Sequence, residues 1–306
     1  MTAGFAVVVL GSLHHDLIVN APRLPERGET LAGSAWRWAC GGKGGNQAVA
    51  AAAMGARTAM VGRVGDDAFG RRLIEHLQDQ RVDTRQVTVD RSAGSGMSVA
   101  ISEQTGDYAA VIVSGVNLAI DEADAMRAAA LLGPGAVLVL QNEVPEAANR
   151  AGAQAARAAG ARVVLNAAPA RPFATDLAAS VDLLVVNEVE ARMLGGEAAV
   201  PAELAPRLAR RLHSGVVLTA GAAGALVADP AGESFAVPGR PVDVVSTHGA
   251  GDMFVGALAA RLAAGDPPPL ACAIANDAAA LLVSRPVAVG RVPRLAEVMA
   301  VRSGAG

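Results

Sequence analysis

Two glycine-rich turns stand about two hundred residues apart, Gly41-Gly42-Lys43-Gly44-Gly45-Asn46 and Ser246-Thr247-His248-Gly249-Ala250-Gly251-Asp252, and each runs straight into a helix-forming stretch. In the late turn Gly249, Ala250 and Gly251 leave backbone N–H groups uncovered at a helix N-terminus, where the partial positive charge favours phosphate. Asp252 follows at once. A lone carboxylate repels phosphate. Its place there makes sense as a base that accepts or orients the proton of a hydroxyl attacking phosphorus, while the three N–H groups hold the charge that builds on the phosphoryl group in transfer. The plainer alternative is that Asp252 only caps the helix beginning around it.

Neighbouring residues weigh against other chemistries. Lys43 within a glycine turn suggests a P-loop, but that motif needs Ser or Thr after the Lys, and Gly44 stands there. No GxGxxG follows the first apolar run, where the chain reads Gly11-Ser12-Leu13, so a dehydrogenase is a weak competitor. His14 and His15 are adjacent on a strand and point to opposite faces, which argues against a shared metal. Asp16, just after them, is placed to accept two hydrogen bonds from neighbouring sugar hydroxyls, although a bare Asp there more often forms a turn. Cys40 and Cys272 lie far apart, with neither a CxxC nor a Cys/His cluster. That pattern points away from zinc and from a disulfide framework, and toward reduced thiols in a cytoplasmic chain.

The 306 residues are 52% hydrophobic but only 3% aromatic, so a core of small side chains in closely packed helices is expected. No apolar run approaches the roughly 20 residues of a membrane span. The opening Phe5-Ala6-Val7-Val8-Val9-Leu10 lacks the basic start and cleavage site of a signal peptide and reads as a buried parallel strand. A net charge of −3, with Lys and Arg dispersed, points to neither nucleic acid nor a membrane surface as partner.

Leu31 to Ala39 reads as a strand with Trp36 and Trp38 on one face. An alanine-rich helix runs from Gln47 to Gly55, a strand covers Thr58 to Gly62, and a helix covers Ala68 to Gln80 with Asp66 and Asp67 as its cap. Short β-like runs lie near Val99 and Val111. Beyond Asp121 strands at Val137–Leu140, Arg162–Leu165, Leu183–Val186 and Val216–Thr219 alternate with helices, which implies a parallel sheet covered on both faces. Two short strands near Leu226 and Phe235 and helices at 250–264 and 270–283 follow, with Pro267-Pro268-Pro269 as the bend between those helices. Glu143, Asn166, Asn187 and Thr219 each fall at or just past a strand's C-terminal end, the edge where such sheets bind ligands.

The anchors Gly11-Ser12, Asp16, Gly28-Glu29-Thr30, Gly65-Asp66-Asp67, Glu143, Asn166 to Ala170, Asn187 to Glu190 and Thr219 to Gly224 stand in one order between roughly residues 7 and 293. With the two turns, they make the chain resemble ribokinase-type (PfkB-type) carbohydrate kinases, nearest in pattern to ribokinases. The early turn matches that family's Gly-Gly-x-Gly-x-Asn-x-Ala signature and the late turn its Gly-Ala-Gly-Asp signature. The resemblance implies a three-layer α/β/α fold with a mostly parallel central sheet, in one domain over residues 1–306. It also implies a small β lid from about 12–40 and 95–117 that covers the sugar and pairs with the lid of a second subunit.

The activity so implied is ATP-dependent phosphorylation of a primary hydroxyl on a pentose or related sugar. By the same resemblance His14, Asp16, Gly42, Lys43, Asn46 and Glu143 contact the sugar with Asp252, His14 standing where ribokinases usually have Asn. Asn187, Thr219, Gly221, Gly224, Gly251 and Asn276 belong to the nucleotide site, and Glu190 organises Mg²⁺ through water. Ribokinases hold a monovalent cation with an Asp where this chain has Ser246, and Arg291 falls at another ligand position, so K⁺ independence is expected. A nucleoside kinase of the same family and a catalytically silent sugar-binding protein are the alternatives, and retention of Asp252 weighs against the second.

Overall fold

The first strand, β1 (Val7–Leu10), divides its apolar side chains between two cores: Val7 and Val9 face one, Val8 and Leu10 the other. The same alternation runs through β8 (Val137–Gln141), β10 (Leu183–Asn187) and β11 (Gly215–Thr219). Strands buried on both faces need cover on both faces, and a three-layer α/β/α arrangement supplies it. The computed structural model describes residues 4–103, 108–195, 200–286 and 292–304.

Among the described residues nine strands form the central sheet, in the order β13-β12-β11-β10-β9-β8-β1-β4-β5. Here β4 is Thr58–Gly65, β5 Asp83–Asp90, β9 Arg162–Asn166, β12 Gly224–Ala228 and β13 Ser234–Pro238. Seven are parallel, and only β12 and β13 run against their neighbours. One face carries α1 (Lys43–Ala53), α2 (Ala68–Asp79), α8 (Ala250–Ala263), α9 (Pro268–Val283) and α10 (Leu295–Arg302). The other carries α3 (Glu122–Ala129), α4 (Glu146–Ala158), α5 (Thr175–Ala178), α6 (Glu188–Gly195) and α7 (Pro201–Leu212). From β1 the chain first builds outward to β4 and β5, then crosses back to β8 and continues the other way. The switch point therefore lies between β1 and β8, where a crevice opens at the strand C-terminal ends. No described helix is long and apolar enough to cross a membrane.

A second sheet of four strands, ordered β3-β2-β6-β7, uses β2 (His14–Ala21), β3 (Ala35–Gly41), β6 (Gly96–Glu103) and β7 (Tyr108–Val113). Its link to β1 is pinned by buried Asn117, whose side chain bonds both the N–H and the carbonyl of Leu13. Trp36 and Trp38 share a face, their rings 5.5 Å apart, as their spacing predicts.

Several boundaries differ from expectation. The strand expected from Leu31 begins at Ala35. Helix α1 starts at Lys43 rather than Gln47, because its glycines are there for close packing: a Cβ on Gly44 would lie 2.7 Å from the Ser12 nitrogen, and one on Gly45 2.9 Å from Leu13 Cδ2. Strand β5 escaped the pattern because its Asp-Thr-Arg-Gln-Val-Thr-Val-Asp sequence is largely polar at a sheet edge. Helices α3 and α10 were likewise unforeseen. Asp67 does cap α2, accepting from Gly70 N at 2.7 Å, whereas Asp66 pairs with Arg91.

Candidate active site

Helices α1 and α8 present their N-termini to the same cleft, and the two ends differ in what their N–H groups do. At α1 the donors are already occupied: Lys43 N bonds Glu143 Oε2 (2.9 Å), Gly44 N bonds Ser12 Oγ (3.4 Å) and Gly45 N bonds the Ser12 carbonyl (3.0 Å). At α8 the chain enters through Gly249 in the left-handed region (φ 80°), and Ala250 N turns back to the Thr247 carbonyl. Among the described residues the Gly251 N–H meets no acceptor. The late turn is thus the one with donor capacity to spare for an anion.

The cleft is open to solvent, and its space together with the solvent at its mouth amounts to about 540 Å³. Its walls include Lys43, Asn166, Asn187, Glu190, Thr219, Thr247, Gly249 to Asp252 and Val255. Three of these, Asn166, Asn187 and Thr219, close strands β9, β10 and β11, and the expected convergence on one sheet edge is what the fold produces.

Asp252 sits in the first turn of α8, and each of its oxygens accepts one amide bond. Asn46 Nδ2 donates to Oδ2 (2.9 Å) and Gln47 Nε2 to Oδ1 (3.0 Å). Burial pushes its carboxyl above the usual range, the Lys43 charge and these two donors pull it back, and Glu143 pushes it up again. The net direction is up, as suits a group that must take a proton near neutral pH.

Glu143, just past β8, accepts from Ser12 Oγ (2.5 Å) and Lys43 N, and His14 Nδ1 stands 3.7 Å away. His14 Nε2 is buried with no partner among the described residues. His15 points to the opposite face and stacks on Phe69, ring centroids 4.6 Å apart. Asp16 accepts from Ser98 Oγ at 2.5 Å, and burial holds its carboxyl above the ordinary value against the opposing pull of Ser98, His14 and His248. Gly42 adopts φ 82° with its Cα pressed to the β1–β2 connection: a Cβ there would lie 2.7 Å from the His14 nitrogen.

On the other side of the cleft Asn187 and Glu190 cap α6 reciprocally, Glu190 N to Asn187 Oδ1 (2.8 Å) and Asn187 N to Glu190 Oε2 (2.9 Å). Burial raises the Glu190 carboxyl, Lys43 lowers it and Asp252 raises it again. Gly221 and Gly224, both at positive φ, flank the short turn after β11, beyond the cleft wall. Asn276, inside α9, donates to the carbonyls of Val237 and Pro238 and so ties that helix to the end of β13. Ser246 N bonds the Val283 carbonyl, and Ser246 Oγ accepts from His248 N at 3.3 Å. Arg291 lies outside the described residues.

Two polar residues of this site were missing from the sequence-based candidates. Gln47 and Ser98 touch the carboxylates of Asp252 and Asp16 across 205 and 82 residues of chain, and local spacing carries no sign of that.

Residues 5–293 match the model of the pfkB family carbohydrate kinases. Ribokinase of Mus musculus is 37% identical over 84% of this chain and 82% of its own length. Deoxyribokinase of Salmonella typhimurium is 33% identical over 83% and 84% respectively. The structure of Arabidopsis thaliana ribokinase complexed with ribose and ATP superposes with a TM-score of 0.86 at 28% identity, covering 97% of this chain and 98% of that one.

Proposed function

The chain belongs to the pfkB family of carbohydrate kinases, and from that membership we propose a pentose, ribose or a close relative, as its acceptor and Asp252 as its base. It is a sugar phosphotransferase whose donor is ATP. The observation that carries the mechanism is the Asp252 carboxylate, held at both oxygens by amides and standing beside a helix end whose Gly251 N–H has no protein acceptor among the described residues.

In the reaction the primary hydroxyl gives its proton to Asp252 as its oxygen bonds the γ-phosphorus. The bond to the β–γ bridging oxygen breaks, and ADP carries away that electron pair. The turn of Gly249, Ala250 and Gly251 stabilises the charge on the phosphoryl oxygens in transit, the Gly251 N–H directly and the Ala250 N–H on leaving the Thr247 carbonyl to which it is bonded here. Asp16, Glu143 and His14, with Gly42, Lys43 and Asn46, hold the sugar, and the raised carboxyl of Asp16 suits a group that waits, buried, for hydroxyl donors. Asn187, Thr219, Gly221, Gly224 and Gly251 line the path of the nucleotide, and Asn276 supports it from behind β13.

Among the described residues no group of three or more acidic, His or Cys side chains gathers as a metal cage. Glu190, oriented by Asn187 at the cleft wall, fits an ion that keeps most of its water shell, as Mg²⁺ does. Bound with ATP, Mg²⁺ supplies neutralisation of phosphate charge. A monovalent cation has no carboxylate at Ser246 to hold it, so K⁺ is not required. The four-stranded sheet acts as lid over the sugar within one working unit, and a second copy pairs on it. Two unpaired thiols, pushed up to about 11 at Cys40 and about 12 at Cys272 by burial, suit the cytoplasm.

A coupled ADP-release assay across ribose, 2-deoxyribose, hexoses, polyols and nucleosides tests the acceptor. Preference for a pentose is expected. Preference for a nucleoside would replace this reading with a nucleoside kinase, and no turnover on any acceptor would leave a binding protein.

A further inference from the structure

Gln47 is fully buried just past the first turn of α1, and its amide can face only one way. Nε2 lies 3.0 Å from Asp252 Oδ1 and 3.1 Å from Asn166 Oδ1. Asn166 Nδ2 donates to the Val185 carbonyl, which leaves Asn166 Oδ1 as an acceptor. Both neighbours of Gln47 are therefore acceptors, and only its NH₂ end satisfies both. The cost is visible at the other end of the amide, where Oε1 is buried without a partner among the described residues. The backbone at this point cannot retreat, because α8 packs directly on it: a Cβ on Gly256 would lie 2.4 Å from the Gln47 carbonyl oxygen.

We infer that Gln47 is a positioning residue of the phosphoryl transfer, fixing the Asp252 carboxylate in its ionised form and in its orientation toward the cleft, and taking its own orientation from the end of β9 through Asn166. The inference rests on Asp252 being the base. A neutral amide suits the task better than a cation would. It stabilises the anion by a hydrogen bond, yet leaves the carboxylate free of an ion pair that would reduce its basicity. The charged groups that act on Asp252 are Lys43 from α1, Glu143 from beyond β8 and Glu190 from α6, one favouring the anion and two opposing it. The direct bonds come from Asn46 and Gln47, and Asn46 is also assigned to the sugar. Gln47 is the one of the two that is not itself assigned to the sugar, its side-chain hydrogen bonds going to Asp252 and Asn166.

The test is the pH dependence of kcat/KM in Q47M, which fills the space without the donor, and in Q47E, which puts a second carboxylate against the first. In Q47M the acid limb is expected to move up by about one pH unit, so the loss of activity is about tenfold on that limb and small above neutrality. In Q47E the two carboxylates share a proton and the limb moves further. Calorimetric affinities for ribose and ATP stay near the wild-type values in both. A uniform loss with the limb unmoved in both variants would reduce Gln47 to a packing residue and overturn the inference. Thermal unfolding identifies a variant that fails to fold, and the other then decides the question. D252N, assayed beside them, separates the two levels: substantial turnover in D252N removes the base itself, whereas a silent D252N with unmoved limbs in the Gln47 variants removes Gln47 alone.

Discussion

Asp252 is held in a position that is costly for stability and useful for chemistry. Folding raises its carboxyl pKa, so the folded chain binds the proton more tightly than the unfolded chain. The unfavourable contribution is absent below the unfolded value near 3.8 and grows as pH rises through and beyond it. D252N is expected to lower turnover by roughly 10²- to 10⁴-fold, while its melting temperature at pH 8 is at least that of wild type. Steady-state kinetics and calorimetry check both halves, and an active or strongly destabilised variant would mark Asp252 as a structural cap. At this scale compact motifs pointed to residues that the fold brings together: Asp252, Gly249 and Gly251 stood out from their own turn and Asn46 from the resemblance of its turn to a family signature, and Asn46 and Asp252 meet in a hydrogen bond. Ser98 and Gln47 could not, because their partners are set by strand register and helix packing rather than by spacing: Ser98 faces Asp16 because β2 and β6 pair in parallel at that pair of residues.

The two glycines of the late turn have different physical reasons to be glycine, and single methyl groups separate them. Gly249 has φ 80°, where any other residue is strained by about 1–2 kcal/mol. A Cβ on Gly251 meets nothing within 4 Å, and this residue lines the cleft. G249A is therefore expected to lower the melting temperature, and G251A to keep or raise it, since alanine favours a helix by about 1 kcal/mol, while turnover falls because the methyl occupies the anion's space. Thermal unfolding and kcat measured side by side decide between these roles. The segment just before α8 carries a second expectation. Ser246 brings a hydroxyl, bonded to the His248 N–H, where a cation site would need a carboxylate, so turnover in K⁺ and in tetramethylammonium at matched ionic strength should agree. Activation by K⁺ of about tenfold, worth roughly 1.4 kcal/mol of barrier, would refute this. Periodicity located the parallel strands and most of the helices of the second half, because buried apolar runs bounded by turns repeat there. It misplaced the start of α1, whose glycines read as a loop although they serve as contact points against the β1–β2 connection at Gly11 to Leu13.

Across the whole molecule the most uneven surface is the four-stranded sheet. Trp36 is 64% exposed and Val111 and Val113, on the same face by strand register, are 70% and 52% exposed, so its outer strands β3 and β7 present apolar side chains on one face. Faces of this kind mark interfaces, and the chain is expected to sediment as a dimer that W36E or V111E converts to a monomer. A wild-type monomer at micromolar concentration would end that expectation. The order of layers and the sheet edge at which Asn166, Asn187 and Thr219 gather were legible from the alternation of strand and helix, whereas the partner of the exposed face is written in no local pattern. The division between the two sheets has a further consequence. The base, its amide supports and the anion turn all ride on the α1–α8 seam against the central sheet, while Asp16 and Ser98 ride on strands hydrogen-bonded only to one another. On the proposed assignment, the part of the sugar pocket carried by Asp16 and Ser98 can be redrawn through β2 and β6 without moving the α1–α8 seam, whereas Lys43, Asn46 and Glu143 tie the rest of that pocket to the seam and to the central sheet.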